Sequence, residues 1–461
     1  MTPLWTSAAI AAATGGAASR PFDVDDVCFD SREVYGGELF VALKGAADDG
    51  HRFVATALAR GATGALVSES VDAPHVQVGD TTAALEALGV AARVRTDATV
   101  IGVTGSVGKT GVKEALRLAL ERFAPDQVHA SVKSYNNHTG VPLSLARMPA
   151  DSRFGVFEMG MNHAGELSAL TRLVRPHIAV VTWVASAHRE FFASEEAIAD
   201  AKGEIFAGLM PGGTAVIPFD NVHRERLLRH AAAHAARTVT FGIGAGADVR
   251  ALDYKLLPDC TSVRARVGDD ELIFKIGMAG RHWVNNALAV LAAVHAAGGD
   301  LALAGLALAG LTDLPGRGAR FRVARPEGTA VVIDESYNAN PASMAAAIDV
   351  LGAIAPIGRG RRLAVLGAMG ELGEGAAEYH RALAPLIAAA GVARVVLVGE
   401  SMAPLAAVMR LTTSTVHVAD ARAALALTLR ELNADDVLLV KGSNSVGLAT
   451  VVAGLRAGDS T

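Results

Sequence analysis

Cysteine is scarce in this sequence, and its 461 residues contain only Cys28 and Cys260, which lie far apart. This spacing indicates neither a disulfide framework nor a metal knuckle, and it favours a reducing compartment. Before Arg20 there is no lysine or arginine, whereas a secretory signal begins with a charged segment. No stretch approaches the roughly 20 strongly apolar residues of a membrane-spanning helix. We therefore expect a cytoplasmic protein without membrane insertion.

An excess of positive charge is also absent. The formal net charge is −5, so the sequence does not favour binding to nucleic acid or to an anionic membrane. The one basic cluster, Arg359, Arg361 and Arg362, lies in a glycine-rich stretch and is interpreted as a solvated loop. With 51% hydrophobic and 19% charged residues, the composition is that of a globular protein. The length is too great for one hydrophobic core and predicts two or three domains.

Short runs of Val, Ile and Leu alternate with longer Ala/Leu-rich stretches, a pattern typical of α/β architecture with parallel sheets. The periodicity breaks at Asp, Pro and Gly near residues 95–97 and 313–318. We therefore predict three domains: a small N-terminal α/β domain (1–96), a central parallel-sheet domain (97–314) and a C-terminal Rossmann-like, doubly wound domain (315–461). Strands are predicted near residues 38–42, 65–67, 98–103, 154–158, 178–184, 214–217, 238–241, 330–334, 363–366, 395–398, 415–418 and 437–440.

The most informative motif follows the predicted strand at 98–103, where residues 105–110 read GSVGKT. Glycines let backbone N–H groups close on phosphate oxygens, lysine adds a positive charge, and the threonine hydroxyl can bind Mg²⁺. A helix expected around 112–120 would point its positive N-terminal end at the same anion. The standard pattern has a glycine where this sequence has Val103, so the loop is a short variant, and the alternative is an ordinary strand-to-helix turn. We predict that a nucleoside triphosphate is bound by Gly105, Ser106, Val107, Gly108, Lys109 and Thr110.

Side chains at the ends of the next strands are candidates for a magnesium site. Mg²⁺ prefers hard oxygen ligands, and Glu158 ends the strand at 154–158, where parallel sheets bind their ligands. The alternative is an acid that faces solvent. His188 follows the next strand and is either a ligand or an ordinary hydrogen-bonded loop residue. Lys202 lies near an apolar stripe, and its spacing alone fits a surface lysine equally well.

Polar residues also open an Ala/Leu-rich stretch after residue 280. Asn285 and Asn286 lie there with Arg281 and His282, and such residues either cap a helix or contact the polar edge of a ligand.

A third polar cluster follows the predicted strand at 330–334 and contains Asp334, Tyr337, Asn338 and Asn340. We expect closure of the C-terminal domain to bring this cluster over a nucleotide that is held by the central domain. Arg317 lies at the predicted domain boundary, where it is either a phosphate-binding residue or a solvated linker arginine.

Together, these segments resemble the Mur ligases, three-domain enzymes of peptidoglycan synthesis that form amide bonds with ATP. Residues 336–341 and 367–373 are most similar to the branch that adds D-alanyl-D-alanine to UDP-N-acetylmuramoyl tripeptide. The resemblance rests on residues 30–34 (DSREV), 37–45 (GELFVALKG), 49–51 (DGH), 135–142 (YNNHTGVP), 158–166 (EMGMNHAGE), 336–341 (SYNANP) and 367–373 (GAMGELG).

The resemblance implies an N-terminal domain that binds the UDP substrate, a central ATP-binding domain and a C-terminal ligase domain. It implies ATP and Mg²⁺, with two ions, as cofactors, and the tripeptide and dipeptide named above as substrates, in a monomer. The implied reaction phosphorylates the terminal carboxylate of the tripeptide, and the amine of the dipeptide then attacks the acyl phosphate. Two alternatives stay open: a sister ligase with another amine acceptor, and a phosphate-loop ATPase that ligates nothing.

The resemblance also assigns roles to single residues, and Lys202 matches a lysine that several members carbamylate with CO₂. The implied catalytic residues are Lys109, His188, Lys202 and Arg317. The implied metal ligands are Thr110, Glu158, His188 and Lys202. Beyond the phosphate loop, the implied ATP contacts are Asn285, Asn286, Arg317, Asp334, Tyr337 and Asn338. The implied contacts of the UDP substrate are Ser31, Arg32, Lys44, His51, Asn137 and His138.

Two positions depart from the family pattern. Gly111 stands where the family usually has a second Thr or Ser after Thr110. Residues 441–444 read KGSN, with Asn444 in place of the familiar arginine. Without that arginine, a contact there to an acidic group of the acceptor must come from elsewhere.

Overall fold

The computed structural model describes residues 2–45, 48–187, 189–312, 314–409 and 413–457. In this part of the chain the long sheets follow one another along the sequence, and each is flanked by helices. The predicted α/β class with three domains is confirmed. No helix among these residues is long and apolar enough to cross a membrane.

The first sheet has five strands in the order β2-β7-β6-β5-β4, and β4 to β7 run parallel. β5 and β6 are buried along their whole length, because helices and loops cover both faces. Strands β1 and β3 form a separate antiparallel pair. The strands are β1 (Trp5–Thr6), β2 (Ala17–Ala18), β3 (Asp23–Val24), β4 (Asp26–Cys28), β5 (Glu38–Val41), β6 (Gly64–Val67) and β7 (His75–Gln77), and the helices are α1 (Ser7–Thr14), α2 (Val54–Ala59) and α3 (Thr81–Val94).

The central sheet has nine strands in the order β16-β15-β14-β13-β12-β11-β8-β10-β9. The strands are β8 (Thr99–Thr104), β9 (Val128–Ala130), β10 (Phe154–Glu158), β11 (Ile178–Val181), β12 (Thr214–Pro218), β13 (Arg237–Gly242), β14 (Val249–Leu256), β15 (Thr261–Val267) and β16 (Asp270–Ile276). The helices are α4 (Lys109–Phe123), α5 (Gly140–Ala146), α6 (Glu166–Val174), α7 (Glu195–Gly203), α8 (Arg224–Ala232), α9 (Arg281–Ala296) and α10 (Leu301–Ala309).

The order of the central strands fixes where a ligand binds. β8 lies between β10 and β11, so the chain leaves β8 toward one side of the sheet and later returns to the other. Parallel sheets bind ligands at the carboxyl ends of strands where the order reverses in this way. The segment after β8 therefore occupies the crevice of the sheet.

The prediction of a parallel central sheet needs one correction. β9 to β14 run parallel with β8, but β15 pairs antiparallel with both of its neighbours, β14 and β16. In β15 the buried Val263 and Ala265 alternate with the exposed Arg264 and Arg266. A search for continuous apolar runs finds strands that are buried on both faces and misses strands of this half-exposed kind.

The last sheet has six strands in the order β17-β18-β22-β19-β20-β21, and all but the edge strand β17 run parallel. The long sheets span residues 17–77, 99–276 and 319–441, while the exact domain boundaries stay predictions. The parts of the chain predicted as domains 1–96, 97–314 and 315–461 are called the first, central and C-terminal units. The strands are β17 (Ala319–Arg325), β18 (Gly328–Glu335), β19 (Arg362–Gly367), β20 (Arg394–Val398), β21 (Ser414–Val418) and β22 (Val437–Lys441), and the helices are α11 (Pro341–Ala353), α12 (Ala376–Arg381), α13 (Leu383–Ala389), α14 (Ala403–Met409), α15 (Ala421–Glu431) and α16 (Ala449–Ala457).

Two arginines join the first unit to the central one. Arg93, at the end of α3, donates through Nε to the carbonyl oxygen of Val174 at 2.8 Å. Arg95 donates through Nη1 to the carbonyl oxygen of Leu4 at 2.8 Å and through Nη2 to that of Met148, in the central unit, at 3.1 Å. Its guanidinium stacks 3.6 Å from the centre of the Trp5 ring. These contacts satisfy carbonyl groups where the chain passes from α3 to β8, and they fix the junction.

The His129 ring in β9 links folding stability to pH. Its Nε2 lies 2.7 Å from the carbonyl oxygen of Ser144, and burial lowers the pKa of the ring to about 4. The unfolded ring titrates near 6.5, so below that pH the unfolded state binds more protons and the folded protein loses stability. At pH 5 this loss is about 2 kcal/mol relative to pH 7.5.

We expect His129→Gln to remove this part of the pH dependence, because glutamine does not titrate. Urea unfolding at pH 7.5 and pH 5 measures the change, and the exposed His234→Gln is the matched control. An unchanged pH dependence in His129→Gln would show that this ring does not carry the effect.

Candidate active site

The loop between β8 and α4 has the backbone shape of a phosphate-binding loop. Gly105 and Gly108 have φ angles of +151° and +87°, which favour glycine. A Cβ atom at Gly105 would lie 2.0 Å from Oγ1 of Thr182, and one at Gly108 would lie 2.7 Å from Oδ1 of Asn286. Neighbouring side chains thus approach the loop so closely that only glycine fits.

Contacts from the end of β11 hold this loop in place. The Thr182 hydroxyl donates to the carbonyl oxygen of Val107 at 2.6 Å. The Ser106 hydroxyl donates to the carbonyl oxygen of Ala185 at 2.9 Å and accepts from its N–H at 3.1 Å. Helix α4 begins directly after the loop, so its first N–H groups and its dipole face the same space.

Lys109 curls back over the loop that it follows. Its Nζ donates to the carbonyl oxygen of Gly105 at 2.7 Å. Burial lowers the pKa of this amine, the carboxylate of Glu158 opposes that shift, and the positive charge of Arg317 adds to it. The amine therefore lies over the glycines of the GSVGKT motif, and its contact with phosphate stays a prediction.

Glu158, at the end of β10, is buried and 1% exposed. Its Oε2 accepts from the Thr110 hydroxyl at 2.7 Å, and its Oε1 accepts from Nδ2 of Asn136 at 2.6 Å. Parallel pairing with β8 places Glu158 opposite Val103, two residues before the loop. A carboxylate and a hydroxyl thus meet beside the phosphate loop, as hard oxygen donors suited to Mg²⁺.

Lys202, near the end of α7, is fully buried. Within the described part of the chain, its Nζ has no hydrogen-bond partner. Burial first, and then the positive charge of Lys109, lower the pKa of this amine well below its usual value, while Glu158 opposes the shift. The structure thus holds a buried, unpaired amine near the phosphate site, and its surroundings disfavour the charged form of the lysine.

Residues of the C-terminal unit close over this site. Arg317 donates through Nη2 to the hydroxyl of Ser134 at 3.1 Å, and that hydroxyl lies 3.4 Å from Oγ1 of Thr110. The guanidinium also lies 4.4 Å from the centre of the Tyr337 ring. Arg317 therefore reaches the central site by direct contact.

Asp334 and Asn338 make local contacts in the same region. The Asp334 carboxylate accepts from the N–H of Gly316 at 3.0 Å and from the hydroxyl of Ser336 at 2.6 Å. Oδ1 of Asn338 accepts from the N–H of Ala339 at 2.8 Å. These bonds stabilise the turn at Gly316 and the loop before α11. Direct contact of Asp334 or Asn338 with ATP stays a prediction.

Asn340 contacts the phosphate loop, although the sequence did not place it among the predicted ATP contacts. Its Oδ1 accepts from the N–H of Ser343 and caps α11, while its Nδ2 lies 3.5 Å from the carbonyl oxygen of Ser106. A second contact between the units runs from the N–H of Glu190 to the carbonyl oxygen of Glu371 at 3.0 Å. The first contact brings the C-terminal unit against the phosphate loop, and the second brings it against the segment after β11.

The first two turns of α9 also reach the loop. Asn286 lies over Gly108, and Oδ1 of Asn285 is buried without a hydrogen-bond partner among the described residues. The ring of Trp283 packs on α4 at Gly111, where its Cη2 lies 2.9 Å from the position that a Cβ atom of residue 111 would occupy. The indole therefore fills the space of the side chain that Gly111 lacks.

Four of the six predicted contacts of the UDP substrate lie on two turns of the first unit. Arg32 is exposed and donates to both carboxylate oxygens of Asp30, on the turn that contains Ser31. On the other turn, Nζ of Lys44 lies 4.0 Å from the Asp49 carboxylate, which also binds Nδ1 of His51 at 2.6 Å.

Asn137 and His138 are exposed. Oδ1 of Asn137 accepts from the N–H of Gly140 at 2.9 Å and so starts α5, while the preceding Asn136 reaches Glu158. Substrate contact by all six predicted residues stays a prediction. The predicted metal ligand and catalytic residue His188 lies outside the described residues.

A phosphate loop at the switch point of a parallel sheet, closed over by a second doubly wound unit, defines a nucleotide-binding enzyme of several domains. Three family profiles match the chain: the Mur ligase middle domain over residues 103–294, the Mur ligase glutamate ligase domain over 319–444, and the Mur ligase family catalytic domain over 23–81. The chain belongs to the Mur ligase family.

Its relatives span nearly the whole chain. The UDP-N-acetylmuramoyl-tripeptide–D-alanyl-D-alanine ligase of Escherichia coli K12 is 34% identical, with 94% of each chain covered. A crystal structure of MurF from Acinetobacter baumannii has a TM-score of 0.83 at 29% identity, covering 98% of this chain and 99% of that chain. The MurF ligase of Thermotoga maritima in complex with ADP has a TM-score of 0.76 at 27% identity, covering 94% and 97%.

We expect Gly111→Thr to destabilise the protein by about 1–3 kcal/mol, because the new side chain would overlap the Trp283 ring. Urea unfolding measures this loss, and Trp283→Phe in the same chain should restore part of it. Gly79→Ala is the matched control, since a Cβ atom there meets open space. Equal stability of Gly111→Thr and the wild-type protein would contradict the packing argument.

Proposed function

We propose that this chain joins D-alanyl-D-alanine to UDP-N-acetylmuramoyl tripeptide in an ATP-dependent reaction that forms an amide bond. The observation that carries the proposal is the meeting of Lys109, Thr110, Glu158 and Lys202 beside one phosphate loop. Relatives that cover nearly the whole chain bear the name of this ligase, which supports the choice of substrates.

The first chemical step is attack of the tripeptide's terminal carboxylate on the γ-phosphate of ATP, which forms an acyl phosphate and releases ADP. A carboxylate is a poor acylating agent, and phosphorylation gives it a good leaving group. Both reactants are anions, so the protein must place them together and balance their charge. Lys109 and Arg317 supply positive charge beside the loop.

The second step is attack of the free amine of D-alanyl-D-alanine on the acyl carbon, followed by loss of phosphate. Water competes with this amine, so the site must exclude it. The contacts of Asn340 with Ser106 and of Glu190 with Glu371 draw the C-terminal unit over the loop. We propose that this closed arrangement protects the acyl phosphate.

Thr110 and Glu158 would hold Mg²⁺, and His188 is the further ligand that the family resemblance implies. The hydroxyl and the buried carboxylate, 2.7 Å apart, suit a hard cation that also binds phosphate oxygens. The described residues hold no cluster of three or more His, Cys, Asp or Glu side chains arranged for a metal. A bound Mg²⁺ would supply positive charge between the two anionic reactants.

Lys202 would carry a carbamate. Its amine is buried and unpaired, and burial favours the neutral form that can add CO₂; the product is an oxygen ligand with negative charge. Such a ligand suits a second Mg²⁺. The carbamate would also satisfy an amine that otherwise stays buried without a partner.

The dipeptide would bind on the C-terminal unit, near residues 441–444. There, Ser443 accepts through Oγ from the N–H of Gly370 at 2.7 Å, and Asn444 is exposed. Ser443 thus ties this segment to the loop at 367–373, which reaches the central unit. A cytoplasmic location and a monomeric state remain predictions from the sequence.

The proposed function is tested by measuring phosphate release from ATP with the tripeptide substrate, the dipeptide, both, or neither, with mass analysis of the products. We expect release to require both substrates and to yield a UDP-muramoyl pentapeptide. Release with a different amine would indicate a sister ligase. Release that is indifferent to both substrates would leave an ATPase and refute the proposal.

For Lys202→Ala we expect a loss of activity of about 10²-fold or more, because a ligand close to the reacting phosphate is removed. Short carboxylic acids such as formate should restore part of the activity by occupying the vacated space. The exposed Lys255→Ala on β14 is the matched control. Full activity of Lys202→Ala, or unchanged activity of the wild-type protein in CO₂-depleted buffer, would exclude a role for the carbamate.

A further inference from the structure

Residues 131–137 (SVKSYNN), called here the bridging segment, lie between the first unit and the phosphate site. Helix α4 holds the segment through Lys113, which is fully buried. Its Nζ donates to the carbonyl oxygens of Ser131 and Lys133 at 2.7 and 3.1 Å. The segment is therefore fixed to the same helix that begins at the phosphate loop.

One set of side chains from the bridging segment contacts the first unit. The Tyr135 hydroxyl donates to Oε1 and Oε2 of Glu33 at 3.1 and 3.2 Å, and Lys133 donates to the same carboxylate. The Tyr135 ring packs on Phe29 with a centroid distance of 5.4 Å. Phe29 and Glu33 flank the turn that carries Ser31 and Arg32, so Tyr135 holds this turn from both ends.

The alternate residues of the bridging segment contact the phosphate site. The Ser134 hydroxyl accepts from Arg317 at 3.1 Å and lies 3.4 Å from Oγ1 of Thr110. Asn136 donates to Glu158 at 2.6 Å, and its carbonyl oxygen accepts from the N–H of Gly160 at 2.8 Å. A displacement of Tyr135 would therefore shift the two neighbours that orient Glu158 and Arg317.

We infer that Glu33 and Tyr135 are positioning residues that couple binding of the UDP substrate on the first unit to binding of nucleotide at the phosphate loop. The inference rests on the proposed function, which assigns these two ligands to the two sites. A ligand that fixes the Ser31–Glu33 turn fixes Glu33, and the hydrogen bond to Tyr135 transmits this order to Ser134 and Asn136. By linkage, each ligand must strengthen the other by the same factor.

The test measures the affinity for ADP by calorimetry with and without saturating UDP-N-acetylmuramoyl tripeptide, and the reverse experiment checks reciprocity. In the wild-type protein we expect the tripeptide substrate to raise ADP affinity about 5-fold or more. In Tyr135→Phe, which keeps the ring and loses the hydroxyl, we expect less than about a 2-fold rise. The affinity for each ligand alone should stay within about 2-fold of the wild-type value, a pattern that general destabilisation would not produce.

Three further variants sharpen the test. Glu33→Gln keeps an oxygen that accepts from Tyr135, so it should retain most of the coupling, whereas Glu33→Ala should lose it. Glu33→Ala combined with Tyr135→Phe should lose no more coupling than either change alone, because both remove the same contact. Tyr254→Phe on β14 is the matched control, and thermal unfolding of each variant reports its folding.

Full coupling in both Tyr135→Phe and Glu33→Ala would overturn the inference. The inference would also be refuted if the wild-type protein makes the pentapeptide product but binds ADP equally well with and without the UDP substrate. The product assay, run on the same preparation, decides the proposed function separately. Absence of amide product would thus be distinguished from absence of coupling.

Discussion

The buried carboxylate of Glu158 is the constraint on which the rest of the site depends. A carboxylate that is removed from water needs hydrogen bonds and positive charge nearby. Thr110 and Asn136 supply the hydrogen bonds, and Lys109 lies close enough for its pKa to respond to this charge. A phosphate loop, a metal-binding acid and a bridging segment are thereby held in one arrangement.

Two buried amines near this carboxylate have different environments. Lys109 donates to a loop carbonyl group, whereas Lys202 has no partner within the described residues. Burial disfavours the positive charge of Lys202 most strongly, and the charge of Lys109 adds to this effect. A buried amine without a partner is costly, and surroundings that disfavour its charge make it more reactive, which supports the proposed modification of Lys202.

The three units meet at the same place. Glu33 of the first unit accepts from Tyr135 of the bridging segment, and Arg317 of the C-terminal unit donates to Ser134 of the same segment. Asn340 of the C-terminal unit lies against the loop after β8. Positioning and charge neutralisation account for most of the catalysis expected in phosphoryl transfer. A site assembled from three units can bind two large substrates and still exclude water.

Much of this site follows from local sequence. The strand before the phosphate loop, the glycines of the loop and Glu158 at a strand end are all local signals, and the structure places them as expected. The partners of Ser134, Tyr135 and Asn340 are 100 or more residues distant in sequence, so no local pattern predicts them. Asn137 is a predicted site residue, whereas it is the side chain of Asn136 that contacts Glu158. Distinguishing these neighbours requires knowing which of the two side chains the backbone turns toward the site.

The central claim is that the substrate carboxylate attacks phosphorus, and isotope transfer tests it most directly. The terminal carboxylate of the tripeptide substrate is labelled with ¹⁸O, the reaction with ATP and D-alanyl-D-alanine is run to completion, and the phosphate is analysed by mass. An acyl phosphate route predicts that the released phosphate carries one labelled oxygen for each amide bond formed. Phosphate without label, formed alongside the amide product, would contradict the account.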